Sequence, residues 1–296
     1  MRIVSLVPHA TELLFALGLG DDVVGVTHEC DYPEAAQDVP PVTRDVLPPG
    51  LPAAEIDAAV KERTERGESI YELDDELVRE LEPDLIVTQA LCNVCAVSHD
   101  EVQALAVTMD EPPRVISLDP KTYGETLGDV RTVAQATGAK DAALDLIART
   151  ARRADIVRLA VRDTLRPRVV ALEWLDPVFV AGHWTPQLIE MAGGEDVLGM
   201  PGEPSQQATW EMVVAAQPDV IVVMPCGYDA ARALVEAEEH AERLRETGAW
   251  RIVAVDASSY FSRPGPRLID GLELLASILH PDRVPDAPAE ALAVEL

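Results

Sequence analysis

Lysine is almost missing from this chain. Only Lys61, Lys121 and Lys140 occur, so 21 of the 24 cationic side chains are arginine, set against 52 Asp and Glu. The net charge of −28 repels phosphate backbones and anionic headgroups, which excludes nucleic acid and anionic membrane surfaces as partners. Such an acidic excess reads as salt adaptation, with carboxylate repulsion screened at high ionic strength. An acidic protein from a GC-rich genome is the other reading. No apolar run approaches the roughly 18 residues that span a bilayer, so membrane insertion is not expected. The opening Met1-Arg2-Ile3-Val4-Ser5-Leu6-Val7-Pro8 carries no long apolar stretch and no small-residue cleavage site. The expectation is therefore a cytoplasmic protein without a secretory signal. Catalytic signatures are missing as well: there is no Gly-x-Ser-x-Gly, no P-loop, and no Gly-x-Gly-x-x-Gly after the first strand. The expectation is a protein that is not an enzyme.

What is present is enough apolar material to pack cores. The hydrophobic fraction is 48% over 296 residues, which excludes a disordered chain and suggests two domains. Strand-like and helix-like runs alternate from end to end. Strands are predicted at 2–7, 23–27, 84–88 and 114–118, with helices at 9–17, 52–66, 74–81 and 98–107. Residues 31–52, rich in proline, read as a loop. Two helices follow, 122–137 and 140–165, the second about 39 Å long at 1.5 Å per residue. The alternation then restarts: strands at 168–173, 219–224 and 251–256, helices at 186–192, 209–216, 229–245 and 266–279. The tail from Pro281 reads as frayed. Alternating βα units imply parallel sheets covered on both faces. The expected fold is α/β: two Rossmann-like lobes with parallel sheets joined by one long α-helix. The boundaries are 1–138 for the N-terminal lobe, 139–166 for the linking helix and 167–296 for the C-terminal lobe.

Several pieces together resemble a known family. These are Arg2-Ile3-Val4-Ser5-Leu6-Val7-Pro8-His9-Ala10-Thr11-Glu12, Gly20-Asp21, Val24-Gly25-Val26-Thr27, Pro83-Asp84-Leu85-Ile86, the long helix, Trp210-Glu211 and Pro218-Asp219-Val220-Ile221. In this order and spacing the chain resembles the cobalamin-binding branch of the class III, helical-backbone substrate-binding proteins. The resemblance runs from about residue 2 to about residue 280. It implies a non-enzymatic protein that closes two lobes over a corrinoid, haem, siderophore or metal ion and delivers it to an ABC importer. The opening of the chain departs from that pattern, having neither a signal peptide nor a lipoprotein cysteine. Contact with an importer is therefore not expected, and the small-molecule ligand is the expected partner.

Ligands of open parallel sheets sit beyond the carboxyl ends of the strands. All four cysteines fall in those segments: Cys30, the Cys92-x-x-Cys95 pair and Cys226. Cys-x-x-Cys is a chelate spacing, and four thiolates suit Zn²⁺, Cu(I) or an Fe–S cluster. A shared metal, unrelated loop cysteines and a thiol oxidoreductase using Cys92 and Cys95 all stay open. His28 could join a thiolate site. The chain has only 3 Phe, 4 Trp and 5 Tyr, and half of them fall at strand ends: Tyr32, Trp174, Trp184, Tyr228, Tyr260 and Phe261. Such flat, amphipathic rings suit a planar ligand such as a corrin, or ordinary packing between lobes. His9 and His183 offer imidazoles for cobalt, and Arg263 could hold a ligand phosphate or carboxylate.

Overall fold

The computed structural model describes residues 1–47, 53–66, 69–90, 97–287, 289 and 291–295. Cys92 and Cys95, and the predicted start of a helix at Pro52, lie outside the described residues. The first part of the chain forms β1 (Ile3–Ser5), α1 (Pro8–Ala16), β2 (Val23–Gly25), β3 (Thr43–Asp45), α2 (Ala53–Glu65), β4 (Tyr71–Leu73), α3 (Asp75–Glu80), β5 (Leu85–Thr88), α4 (His99–Ala106) and β6 (Arg114–Ser117). One sheet has the order β2-β1-β5-β6, with every pairing parallel. Its centre is apolar on both faces, as a parallel sheet requires. Side chains alternate across the strands, so Ile3 and Val87 join Leu13, Leu14 and Val133 on one face. Val4 and Ile86 join Val78, Val102 and Leu105 on the other. Proline opens α1, where its missing N–H is harmless, and Gly18 leaves it at a φ of +77°. The Asp74 carboxylate accepts the Leu77 N–H at 2.9 Å and starts α3.

One expectation here needs correcting. Residues 31–52 are not all loop, because β3 pairs antiparallel with β4. Thr43-Arg44-Asp45 has no apolar alternation to announce it. The ladder is held by backbone bonds and by the exposed Arg44–Glu72 pair at 2.5 Å.

The second part forms α5 (Tyr123–Thr137), α6 (Lys140–Ala160), β7 (Arg168–Leu175), β8 (Val178–Val180), α7 (Thr185–Met191), β9 (Glu195–Asp196), β10 (Gln206–Gln207), α8 (Trp210–Ala215), β11 (Val220–Val223), α9 (Ala230–Glu239), α10 (Ala241–Glu246), β12 (Arg251–Val255), α11 (Ala257–Tyr260), α12 (Leu268–Leu279) and β13 (Ala291–Ala293). A parallel centre, β7-β11-β12, is flanked by antiparallel β8, β10 and β13, and β9 pairs parallel with β7. The protein is thus a two-lobed α/β fold with a sheet in each lobe, joined through long helices. The chain divides into one compact unit of residues 1–120 and 127–147 and a second of residues 121–126 and 148–296.

Three boundaries differ from expectation. Helix α6 stops at Ala160, short of Leu165, where the Thr164 hydroxyl donates to the Val161 carbonyl at 2.8 Å and Pro167 forbids continuation. The predicted helix 229–245 is broken at His240 into α9 and α10. The tail is not wholly frayed: β13 adds to the β12 edge, with Val294 8% exposed in the core. Within the second unit Arg153 of α6 clamps α12, donating to Glu273 at 2.8 and 2.6 Å and to Asp270 at 2.5 Å.

Candidate functional site

The carboxyl ends of the strands in the first unit hold a group of buried polar side chains. Ser5, Thr11 and Thr88 are fully closed to solvent, and His9, Glu12, Thr27 and Gln89 are buried with them. The Thr11 hydroxyl donates to Ser5 Oγ at 2.8 Å. The Cys30 sulfur lies 3.0 Å from Thr11 Oγ1 and 3.4 Å from Thr27 Oγ1, and its side chain packs in the apolar core. The Thr88 hydroxyl has no hydrogen-bond partner among the described residues. Burying such a group costs free energy unless it is hydrogen-bonded.

Sequence reasoning passed over this cluster. The available signal was a hydroxyl within or at the end of each apolar run: Ser5 inside Ile3-Val4-Ser5-Leu6-Val7, Thr27 after Val24-Gly25-Val26, and Thr88 after Leu85-Ile86-Val87. His28, considered for a thiolate site, instead meets Thr43 Oγ1 through Nδ1 at 2.8 Å and lies 5.3 Å from the Tyr71 ring. Tyr32 is 47% exposed.

In the second unit the expected aromatics divide into two groups. Trp184 and Phe261 are buried, and the Trp184 indole N–H donates to the Phe261 carbonyl at 2.8 Å. Tyr228 is also buried; the Trp174 ring meets its edge at 5.5 Å and the Arg232 guanidinium stacks 3.7 Å from its ring centre. Burial pushes the Tyr228 hydroxyl up. Trp174 lies inside β7 rather than in the loop the sequence suggested, because β7 extends into a hairpin with β8. Its indole nitrogen is buried with no hydrogen-bond partner among the described residues. Tyr260 ends α11, with Arg267 5.8 Å from its ring centre, and Arg263 follows in the same half-buried stretch.

His183 is held in a conformation that β-carbon-bearing residues rarely adopt, with φ at +52°. Two backbone bonds impose it: His183 N–H to the Glu203 carbonyl at 2.6 Å, and Gly202 N–H to the His183 carbonyl at 2.9 Å. Burial, then the charge of Lys121, lowers its pKa, so the imidazole is neutral near pH 7 and keeps a lone pair for a metal. Glu173 of β7 was not picked from the sequence. Burial pushes its carboxyl up to about 7, offset in part by the hydrogen bond from the Ser205 hydroxyl.

Among the described residues no group of three or more His, Cys, Asp and Glu side chains is arranged to hold a metal ion. Cys226 is exposed in the second unit. No helix is long and apolar enough to cross a membrane, among the residues described.

Two sheet-bearing α/β lobes joined by long helices define the class of two-lobed substrate-binding proteins. Residues 3–257 match the periplasmic binding protein family, and the chain belongs to it, in the class III, helical-backbone group and the branch that holds vitamin B12-binding proteins. It is a non-catalytic binding protein, so the thiol oxidoreductase alternative falls. The chain is 25% identical over 296 residues to the ABC transporter substrate-binding lipoprotein YvrC of Bacillus subtilis, covering 95% of this chain and 80% of that one. It is 23% identical over 291 residues to a vitamin B12-binding protein of Vibrio cholerae, covering 94% and 88%. The solved periplasmic vitamin B12-binding protein BtuF of Vibrio cholerae superposes with a TM-score of 0.67 at 21% identity, covering 94% and 96%. The periplasmic haem-binding protein RhuT of Roseiflexus, solved in apo form, gives 0.67 at 27% identity, covering 95% and 98%. These findings overturn the expectation of a cytoplasmic binding protein: a family and solved relatives that are periplasmic indicate a periplasmic location. The opening of the chain was a poor guide to its compartment.

Proposed function

We propose that this protein binds a corrinoid, cobalamin itself or a close relative, as its transported cargo. The observation that carries the reading is likeness over nearly the whole chain to vitamin B12-binding proteins, 94% of it in the Vibrio cholerae case. The side chains at the strand ends are compatible with such a ligand. In the second unit Trp174 and Tyr260 keep ring faces that are not closed off, and the half-buried Arg263 offers a cation for a ligand phosphate; in the first unit Tyr32 is exposed. His9 and His183 are the imidazoles proposed for cobalt, and burial, then the charge of Lys121, lowers the His183 pKa toward the neutral form. Trp184, Phe261 and Tyr228 are assigned the supporting role of fixing that surface, since packing has consumed most of their area.

The test is a titration of purified protein with hydroxocobalamin, followed by calorimetry and absorption. The expected result is one cobalamin per chain, a shifted spectrum as cobalt exchanges water for imidazole, and loss of that shift in His183→Ala. A Soret shift with hemin and no heat with cobalamin would transfer the function to haem, the reading that likeness to RhuT favours.

A further inference from the structure

The charge of this protein has one local exception. Residues 149–168 carry seven arginines against two aspartates, in a chain of net charge −28. Helix-dipole complementarity favours a cation in a last helical turn, but it does not call for seven over twenty residues. Several of these arginines are fully engaged. Arg153 is held by Glu273 and Asp270. Arg166 donates to the Gly194 carbonyl at 2.9 and 2.6 Å, closing the end of α7, and Arg168 donates to the Ala216 carbonyl at 2.7 Å. Arg158 and Arg162 are different. Among the described residues their ion pairs are with Asp155 and Asp163, each at 3.6 Å, and their side chains are 64% and 72% exposed. Arg158 sits in the last turn of α6 and Arg162 in the non-helical turn just beyond it.

Both line a groove of about 730 Å³ within the second unit. That volume lies in the range of small-molecule sites. Its walls are unequal. Val161 and Gly193 are buried and Met191 is half-buried, which makes them the apolar depth of the groove. Arg158, Arg162 and Leu159 are exposed and form the rim. Leu159 is 68% exposed, with Ile156 at 61% and Leu165 at 92% close by in sequence. Apolar side chains this open cost free energy in water until something covers them. The depth also adjoins the C-terminal ends of α6 and α7, whose carbonyls carry partial negative charge, so an anionic group is unwelcome there. The acids Asp155 and Glu190 on the same lining add to that. A fitting occupant is therefore split: an apolar body in the depth, and an anionic head outside, on the two guanidinium groups.

We propose that this groove is a second binding site, separate from the corrinoid reading and independent of it, for a soluble anionic amphiphile such as a fatty carboxylate. Three arginines, Arg158, Arg162 and Arg166, line the groove against two acids, Asp155 and Glu190, so its lining is net positive in a chain that is otherwise strongly acidic. The same head chemistry is present on an anionic bilayer, but a concave pocket suits a single tail better than a flat surface.

The experiment uses the full chain and dodecanoate below its micellar concentration, read by calorimetry at physiological ionic strength. One dodecanoate per chain is expected. Arg158→Gln with Arg162→Gln should weaken it about tenfold or more, as loss of charge-assisted contacts implies. Met191→Trp, which fills the depth, should weaken it too, with melting temperature and circular dichroism confirming that each variant folds. Saturating cobalamin should leave the affinity unchanged. The proposal is overturned if millimolar dodecanoate gives no binding, if the double arginine variant binds as wild type does, or if cobalamin displaces it. Phosphatidylglycerol vesicles that sediment the protein without any binding of free dodecanoate would also overturn it, in favour of a membrane surface.

Discussion

At Glu173 a carboxyl sits inside a strand with the Ser205 hydroxyl donating to it and the Gly182 N–H donating in turn to Ser205 Oγ at 3.2 Å. Burial lifts its pKa from 4.5 to about 7. Below about pH 4.5 the group is protonated whether the chain is folded or not, and it has no effect. As pH rises from there to about 7, the unfolded chain ionises first, so the folded state loses stability; above 7 the penalty is constant. With solvent screening the full penalty is on the order of 2 kcal/mol. Glu173→Gln should therefore match wild type at pH 4.5 and exceed it by about that amount at pH 8.5. Urea unfolding at both pH values checks it, and an equal gain at both would mean that Glu173 is ionised in the fold. Nothing in the run Val169-Val170-Ala171-Leu172-Glu173 tells how deeply that one acid is buried; the surrounding hairpin decides it.

Among the elements, β13 most sharply separates pattern from packing. Its sequence, Ala291-Leu292-Ala293, follows a Pro- and Ala-rich stretch and carries no distinctive signal, yet it pairs with Val253, Ala254 and Val255. Leu292 and Val294 pack on the core of the second unit. Removing residues 287–296 should cost about 2 kcal/mol, the scale of one or two buried aliphatic side chains. It should also bare the β12 edge, a template for pairing with other chains. Denaturation midpoints and light scattering of the truncated protein test both effects; an unchanged midpoint would show that the strand contributes no stability. Strands β3 and β10 escaped the sequence for the same reason. Thr43-Arg44-Asp45 and Gln206-Gln207 are polar, and backbone ladders need no particular side chain.

Across the whole molecule the dominant quantity is charge. With 52 acidic residues against 24 basic ones, most carboxylates have no cation near enough to neutralise them, and repulsion opposes the compact state. The Debye length falls from about 10 Å at 0.1 M salt to about 3 Å at 1 M, which removes most of that repulsion between exposed groups. The melting temperature should rise by several degrees between 0.1 and 1 M KCl, as differential scanning calorimetry would show. A flat response would end the salt-adapted reading. Dodecanoate binding should respond in the opposite sense and weaken with KCl, because it rests on attraction to Arg158 and Arg162.

The sequence alone determined the α/β plan, because apolar β-branched runs alternating with amphipathic helices have few ways to bury themselves. It also suggested where candidate ligand residues should be sought, since strand ends are where open parallel sheets receive ligands. Tertiary structure decided which of those residues remain available. Trp184 is spent on the carbonyl of Phe261, 77 residues away, and Cys30 on two threonine hydroxyls. His183 is locked in a left-handed turn by Glu203 and Gly202. Each of these outcomes depends on contacts between segments remote in sequence or on the depth of a packed core. Local pattern carries neither quantity.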